Sequence, residues 1–132
     1  MEILKQPATM KLPGEMFTGD AWADVIYRGE EPSRARANMV RFSPGARTAW
    51  HSHSLGQTLY IVEGIALIQS RGGEIVEARP GDVIFTPAGE EHWHGAAPEC
   101  FVTYMSISLG RTDTLEEVTD AVYSAAWQDG GA

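Results

Sequence analysis

The chain is short of several things, and each shortage excludes something. It has one cysteine, Cys100, in 132 residues. No internal disulfide can form, so nothing points to an oxidising compartment, and Cys100 reads as an inert buried thiol. No stretch approaches the roughly 18 apolar residues that a membrane-spanning helix needs. The opening Met1–Pro7 lacks the apolar core of a signal peptide. Positive charge is also scarce, with 10 Lys and Arg against 18 Asp and Glu for a net charge of −8. Such a surface repels phosphate backbones and anionic lipid, which argues against nucleic acid and membranes as partners. The expectation is a soluble, cytoplasmic single domain.

Apolar residues make up 43% of the chain, enough for a sizeable core. Gly (14) and Pro (7) are frequent, and turn-rich composition with short apolar runs favours an all-β domain. Residues 1–37 show no sustained period and read as an N-terminal arm, with a short strand near Glu2–Lys5 and another at Ala21–Tyr27. From Asn38 short β-branched and aromatic segments follow one another: Met39–Phe42, Arg47–His51, Leu59–Val62, Ile65–Ser70, Glu74–Ala78, Val83–Thr86, Glu91–His94 and Phe101–Leu109. Turn signals at Pro44-Gly45, Gly64, Gly72-Gly73, Pro80-Gly81 and Pro87-Ala88-Gly89 separate them. Residues 38–109 therefore predict a sandwich, jelly roll or small barrel. Residues 112–127 approach helical spacing, with Thr112 or Thr114 as cap, and predict an acidic C-terminal helix that frays from Gln128.

All four histidines lie between positions 51 and 94. His51 and His53 are two apart, so on a strand both face the same side. Gln57 follows four residues later, and His92 comes just after the Pro87-Ala88-Gly89 turn. In a closed antiparallel barrel these strands become neighbours, and His51, His53, Gln57 and His92 can converge on one cation. His-x-His alone is weak evidence for metal; the longer spacing discriminates. Gly45, five residues, His51, one residue, His53, three residues, Gln57, six residues, Gly64 is one pattern. Gly81, five residues, Pro87, one residue, Gly89, two residues, His92 is the second.

These two strings resemble the paired motifs of the cupin superfamily, whose members are double-sheet jelly-roll barrels with a metal inside. Two positions depart from the general pattern: Gln57 stands where most cupins carry Glu, and Ala96 where many second motifs end in Asn. Three histidines and a glutamine offer only neutral ligands, which leaves a divalent ion a stronger Lewis acid and stabilises a trivalent one poorly. That favours non-redox chemistry over oxygen activation. Manganese, iron, nickel, cobalt and zinc all suit the set.

The runs Pro44–His53 with Leu55–Leu59, and Gly89–Pro98, together with Met1-Glu2-Ile3 and Phe17-Thr18-Gly19, are more particular. They resemble the small bacterial cupins that include manganese-dependent hydroxynitrile lyases. The resemblance implies one divalent metal, manganese first, on His51, His53, Gln57 and His92, and a substrate pocket of Val40, Thr48, Trp50 and His94. In those lyases a histidine on the last core strand is the presumed base; Tyr104 stands there here, and Ser108 replaces a pocket Gln. His94 and Tyr104 are thus the candidate catalytic pair. An unperturbed tyrosine, with a pKa near 10, is a poor base at pH 7.

Face parity gives a further expectation. If Tyr104 points inward, so do Val102, Ser106 and Ser108, while Phe101, Thr103, Met105 and Ile107 face out. That outer face needs a cover: the arm, the helix, or the second subunit of a homodimer. Arg47 reads as a surface ion pair. Two rivals to a lyase-like enzyme share the ligands: a cupin dioxygenase, and a non-catalytic ligand-binding sensor.

Overall fold

The computed structural model describes residues 1–130, with side chains through Ala125. In chain order they form β1 (Met10–Lys11), β2 (Phe17–Thr18), β3 (Ala21–Arg28), β4 (Arg36–Phe42), β5 (Arg47–Thr48), β6 (His51–His53) and β7 (Gln57–Gly64). There follow β8 (Ala66–Ser70), β9 (Ile75–Ala78), β10 (Val83–Thr86), β11 (His92–Ala96), β12 (Val102–Ser108), β13 (Thr112–Thr114) and α1 (Asp120–Gly130). Two antiparallel sheets curl toward each other. The first runs β1-β3-β4-β12-β7-β10; the second runs β13-β6-β11-β5-β2, with β8 on the other flank of β11 and β9 beyond it. The all-β jelly-roll expectation holds. Among the described residues no helix is long and apolar enough to cross a membrane.

Strand alternation sets the faces. Along β12, Val102, Tyr104, Ser106 and Ser108 are buried, while Thr103 and Met105 are half-buried and Ile107 is exposed. That is the expected parity. Two glycines permit the close approaches on which the barrel depends. At Gly64 (φ +84°) a Cβ would lie 1.8 Å from the Phe101 carbonyl oxygen. At Gly95 a Cβ would lie 2.4 Å from the Ala46 carbonyl oxygen and 2.7 Å from Arg47 Cα. Only glycine lets β11 run this close to β5.

The buried apolar residues form two clusters. One fills the barrel around Phe42, Leu59, Ile61, Val102 and Tyr104. The other lies between the outer face of the second sheet and the C-terminal segment: Trp50, Leu67, Trp93, Val118 and Tyr123. Burying Val118 alone contributes roughly 1.5–3 kcal/mol. Arg47 ties this segment down. It is not the surface residue expected from its sequence but is 5% exposed. Its Nε and Nη2 donate to the Val118 carbonyl at 3.1 and 2.8 Å, its Nη2 also meets Asp120 at 2.6 Å, and its guanidinium lies over the Tyr123 ring.

Other expectations need correction. No strand forms at Glu2–Lys5; the first is β1. The expected strand 47–51 is broken at Ala49-Trp50, whose backbone pairs instead with Met16, Leu115 and Glu116. The helix does not span 112–127. Thr112–Thr114 form an edge strand against His51–His53, where β-branched residues fit well. The cap is Thr119, whose hydroxyl accepts the Val122 N–H at 3.2 Å. Fraying was expected from Gln128; α1 runs to Gly130, and 131–132 lie outside the described residues. Cys100 is half-buried rather than buried.

Candidate metal centre and cavity

His51 on β6 and His92 on β11 are direct cross-strand partners, and their ring centroids are 4.3 Å apart. His53, two residues on, joins them from the same face. One nitrogen from each of these rings lies within 4.8 Å of the others, and all three residues are buried. The triad can hold a metal ion.

The surrounding hydrogen bonds fit that use. Nδ1 of His51 meets the Ala49 carbonyl at 2.8 Å, and Nδ1 of His92 meets the Glu90 carbonyl at 3.1 Å. Nδ1 of His53 meets the Thr112 hydroxyl at 3.0 Å. Outer acceptors that anchor Nδ1 leave Nε2 free to coordinate. Nε2 of His53 is buried without a partner. Nε2 of His92 faces Gln57 Oε1 at 3.0 Å, while the amide Nε2 of Gln57 donates to Ser108 Oγ at 3.3 Å. His92 thus has an acceptor on each ring nitrogen, and a neutral imidazole carries only one N–H. Two arrangements resolve the mismatch: a turned Gln57 amide, donating to His92 and accepting from Ser108, or a cation between His92 and Gln57.

Protonation of the rings offers no substitute. Burial, with the neighbouring His92 ring, holds His51 down at about 3 and His53 at about 4. Burial lowers His92 too, against a partial offset from the Glu90 carbonyl. All three are neutral at pH 7, the form that binds metal.

Around the triad lies a cavity of about 220 Å³. It brings together most of the residues expected from the sequence: Thr48, His51, His53, Gln57, Val40, His94, Tyr104 and Ser108 all line it. Trp50 does not. Thr48 and His51 both face in only because the chain breaks between them, and that break turns Trp50 outward. It packs in the second core, with Arg71 over its ring at 4.1 Å. Among the lining residues not expected as site residues are the polar Arg36, Asn38, Ser106, Thr112 and Thr114. Arg36 and Asn38 share Val40's parity on β4, so the signal was present. Thr112 gave none, being read as helix.

His94 and Tyr104 meet across the barrel: His94 Nδ1 and the Tyr104 hydroxyl are 2.5 Å apart. Burial pushes the phenol well above its ordinary range, and burial beside three imidazoles holds His94 well below its own. The phenol therefore stays protonated and donates to Nδ1. The neutral His94 ring then carries its hydrogen on Nε2, which is buried without a partner.

Residues 38–104 match the family model described as "Cupin domain". The chain is a cupin. It is 42% identical over 120 residues to an "(R)-mandelonitrile lyase" of Granulicella tundricola, covering 88% of this chain and 92% of the relative. Among solved structures it resembles a cupin-like protein of Thermotoga maritima, with TM-score 0.83 and 33% identity over 96% of this chain and 97% of that one. It also superposes on an acetylacetone dioxygenase of Acinetobacter johnsonii, with TM-score 0.68 and 19% identity over 98% and 92% of the two chains. At that identity the likeness shows the cupin fold alone.

Proposed function

We propose that this cupin is an enzyme of lyase-like, hydroxynitrile-lyase-related chemistry. Its substrate is a small molecule bearing a hydroxyl or carbonyl oxygen beside the C–C or C–O bond that breaks. His51, His53, Gln57 and His92 would hold one divalent transition metal, manganese first, with iron, nickel, cobalt and zinc also compatible. When bound, such an ion supplies Lewis acidity to a substrate oxygen. The observation that carries the enzymatic reading is His94 Nε2. It is a buried nitrogen with no hydrogen-bond partner, on a side chain that lines the cavity beside the triad.

Tyr104 sets what His94 can do. With the phenol donating to Nδ1, His94 offers an N–H to substrate and no lone pair. The pair binds and orients a developing oxyanion. Cyanohydrin cleavage also requires a proton to leave the hydroxyl oxygen and end on the departing cyanide, and this pair does not accept that proton. Support for lyase chemistry comes from the 42% identity to the mandelonitrile lyase; support for a different substrate comes from Tyr104. The test is elemental analysis followed by turnover assays on the manganese-loaded chain, with cyanohydrins and a panel of hydroxy and carbonyl compounds. About one metal per chain and turnover of a panel member are expected. Tight binding without turnover would make the chain a sensor, and oxygen uptake would make it a dioxygenase.

We also propose a homodimer joined through the outer face of the first sheet. Tyr60, Val62, Val83, Phe85 and Ile107 are exposed there. Of the three covers considered from sequence, the helix lies on the other sheet, and β1 pairs with the edge of β3. A second copy remains. Phe85→Glu should shift the mass in solution from dimer to monomer; a wild-type monomer would refute the dimer.

A further inference from the structure

Five of the eight arginines pair with carboxylates, and of the other three one lines the cavity. Arg34, Arg47, Arg71, Arg79 and Arg111 each pair with a carboxylate. Arg28 and Arg41 are exposed and do not line the cavity. Arg36 is half-buried, lines the cavity, and has no carboxylate within 4.0 Å among the described residues, in a chain of net charge −8. Such a cation, partly removed from water, is costly unless an anion meets it. Burial, with Arg34 and Arg28 nearby, lowers its pKa, so the protein itself does not offset the charge.

The guanidinium is nonetheless held in place. Its Nη2 donates to the Thr112 hydroxyl at 2.7 Å and to the Gly110 carbonyl at 3.4 Å. That same hydroxyl meets Nδ1 of His53, so one side chain bridges Arg36 to the triad. The rest of the fork is available to a planar anion. Polar groups surround it by register: Ser108 stands opposite Arg36, and Ser106 opposite Asn38, on adjoining strands. Farther along the same two strands the lining turns apolar, at Val40 and Phe42, with Phe17 and Leu12 beyond.

From this arrangement we infer that Arg36 is the anion anchor of the site, and that the natural substrate is a small amphipathic hydroxy or carbonyl compound bearing a carboxylate. The carboxylate meets Arg36, the oxygen to be activated faces the triad, and the hydrocarbon body lies against Val40 and Phe42. The inference rests on the enzymatic reading above and narrows it from any oxygen-bearing molecule to an acid.

The experiment measures binding by calorimetry on manganese-loaded and metal-free protein of known metal content. The probes are glycolate, 3-hydroxybutyrate, (R)-mandelate and 4-(hydroxymethyl)benzoate, each against its primary amide. At least one acid should bind more tightly than its amide by about ten- to a hundredfold. That preference should vanish in Arg36→Gln and partly return in Arg36→Lys. A preference that survives Arg36→Gln and needs manganese puts the carboxylate on the metal, which overturns the inference and leaves the metal reading standing. No acid preferred over its amide overturns it as well. An Arg36-dependent preference in protein that takes up no metal upholds the anchor while the metal reading fails.

Discussion

One wall of the cavity carries His51 and His53 on β6 and His94 on β11, with His92 packed beside them; the other carries Arg36, Asn38, Tyr104, Ser106 and Ser108 on β4 and β12. The two are supported differently. Behind the histidines lies a second core, with Trp93 wholly buried and the C-terminal segment tied across it by Arg47. Each imidazole of the triad is also fixed through its Nδ1. Among the described residues, the sheet opposite has no second core of the chain's own behind it, exposes Tyr60, Val62, Val83, Phe85 and Ile107 on its outer face, and carries the polar and charged lining. The difference teaches where each task sits: a doubly supported wall can fix ligand geometry, while a wall of varied side chains can choose the substrate.

Breaking the ligand wall should have the largest effect. His92→Ala or His51→Ala should reduce the metal content from about one per chain to none, with activity lost in step, read by elemental analysis and turnover together. Retention of both would remove these residues from the centre. Next comes the backbone that holds the wall. Gly95→Ala places a methyl 2.4 Å from the Ala46 carbonyl and forces β11 from β5. A loss of about 3 kcal/mol is expected in denaturant unfolding. The same change on a surface strand with room for a methyl would cost far less.

The ligand wall also has a pH signature in the metal-free chain. His51 and His53 have folded values of about 3 and about 4, against an ordinary 6.5. Below 6.5 the unfolded chain takes up protons that the folded one refuses, so unfolding becomes easier as pH falls. The contribution is complete above about 6.5 and is lost as pH falls toward 4. The melting temperature should therefore drop over that window; a flat profile would show that these rings are not buried neutral.

The substrate wall should respond in rate instead. Tyr104→Phe removes the donor that sets the His94 tautomer and should slow turnover about tenfold or more, with metal content unchanged. Tyr104→His should raise cyanohydrin cleavage by supplying an acceptor. Unchanged rates in both would take Tyr104 out of the mechanism.

The two walls were unequally legible in the sequence. His51, His53 and His92 could be placed because strand parity and turn spacing are local rules, and the faces of β12 followed from one anchoring residue. The break at Ala49-Trp50 was not legible. It exists because the Trp50 backbone pairs with residues 115 and 116, a contact more than 60 positions away. The same long-range pairing drew Thr112–Thr114 into a strand and hid Thr112 as a cavity residue. Arg36 lay in what read as arm, before any pattern began, so its parity with Val40 went unused. Buried Arg47 was illegible for a similar reason: its partner, the Val118 carbonyl, is a backbone group whose position only the fold determines.

The smallest predicted effect falls where the walls meet. Gln57 is on β7, touching His92 through Oε1 and Ser108 through Nε2. In Gln57→Glu the shape is retained, and the Ser108 hydroxyl can rotate from acceptor to donor, so the fold should be unaffected. What changes is charge. A carboxylate beside three neutral imidazoles should bind a hard divalent ion more tightly, by about tenfold, and should temper its Lewis acidity. Tighter manganese binding in titration together with slower turnover is the expected pair of outcomes. If neither the affinity nor the rate moves, Gln57 does not coordinate. The neutral ligand set would then no longer explain a Lewis-acid centre in this cupin.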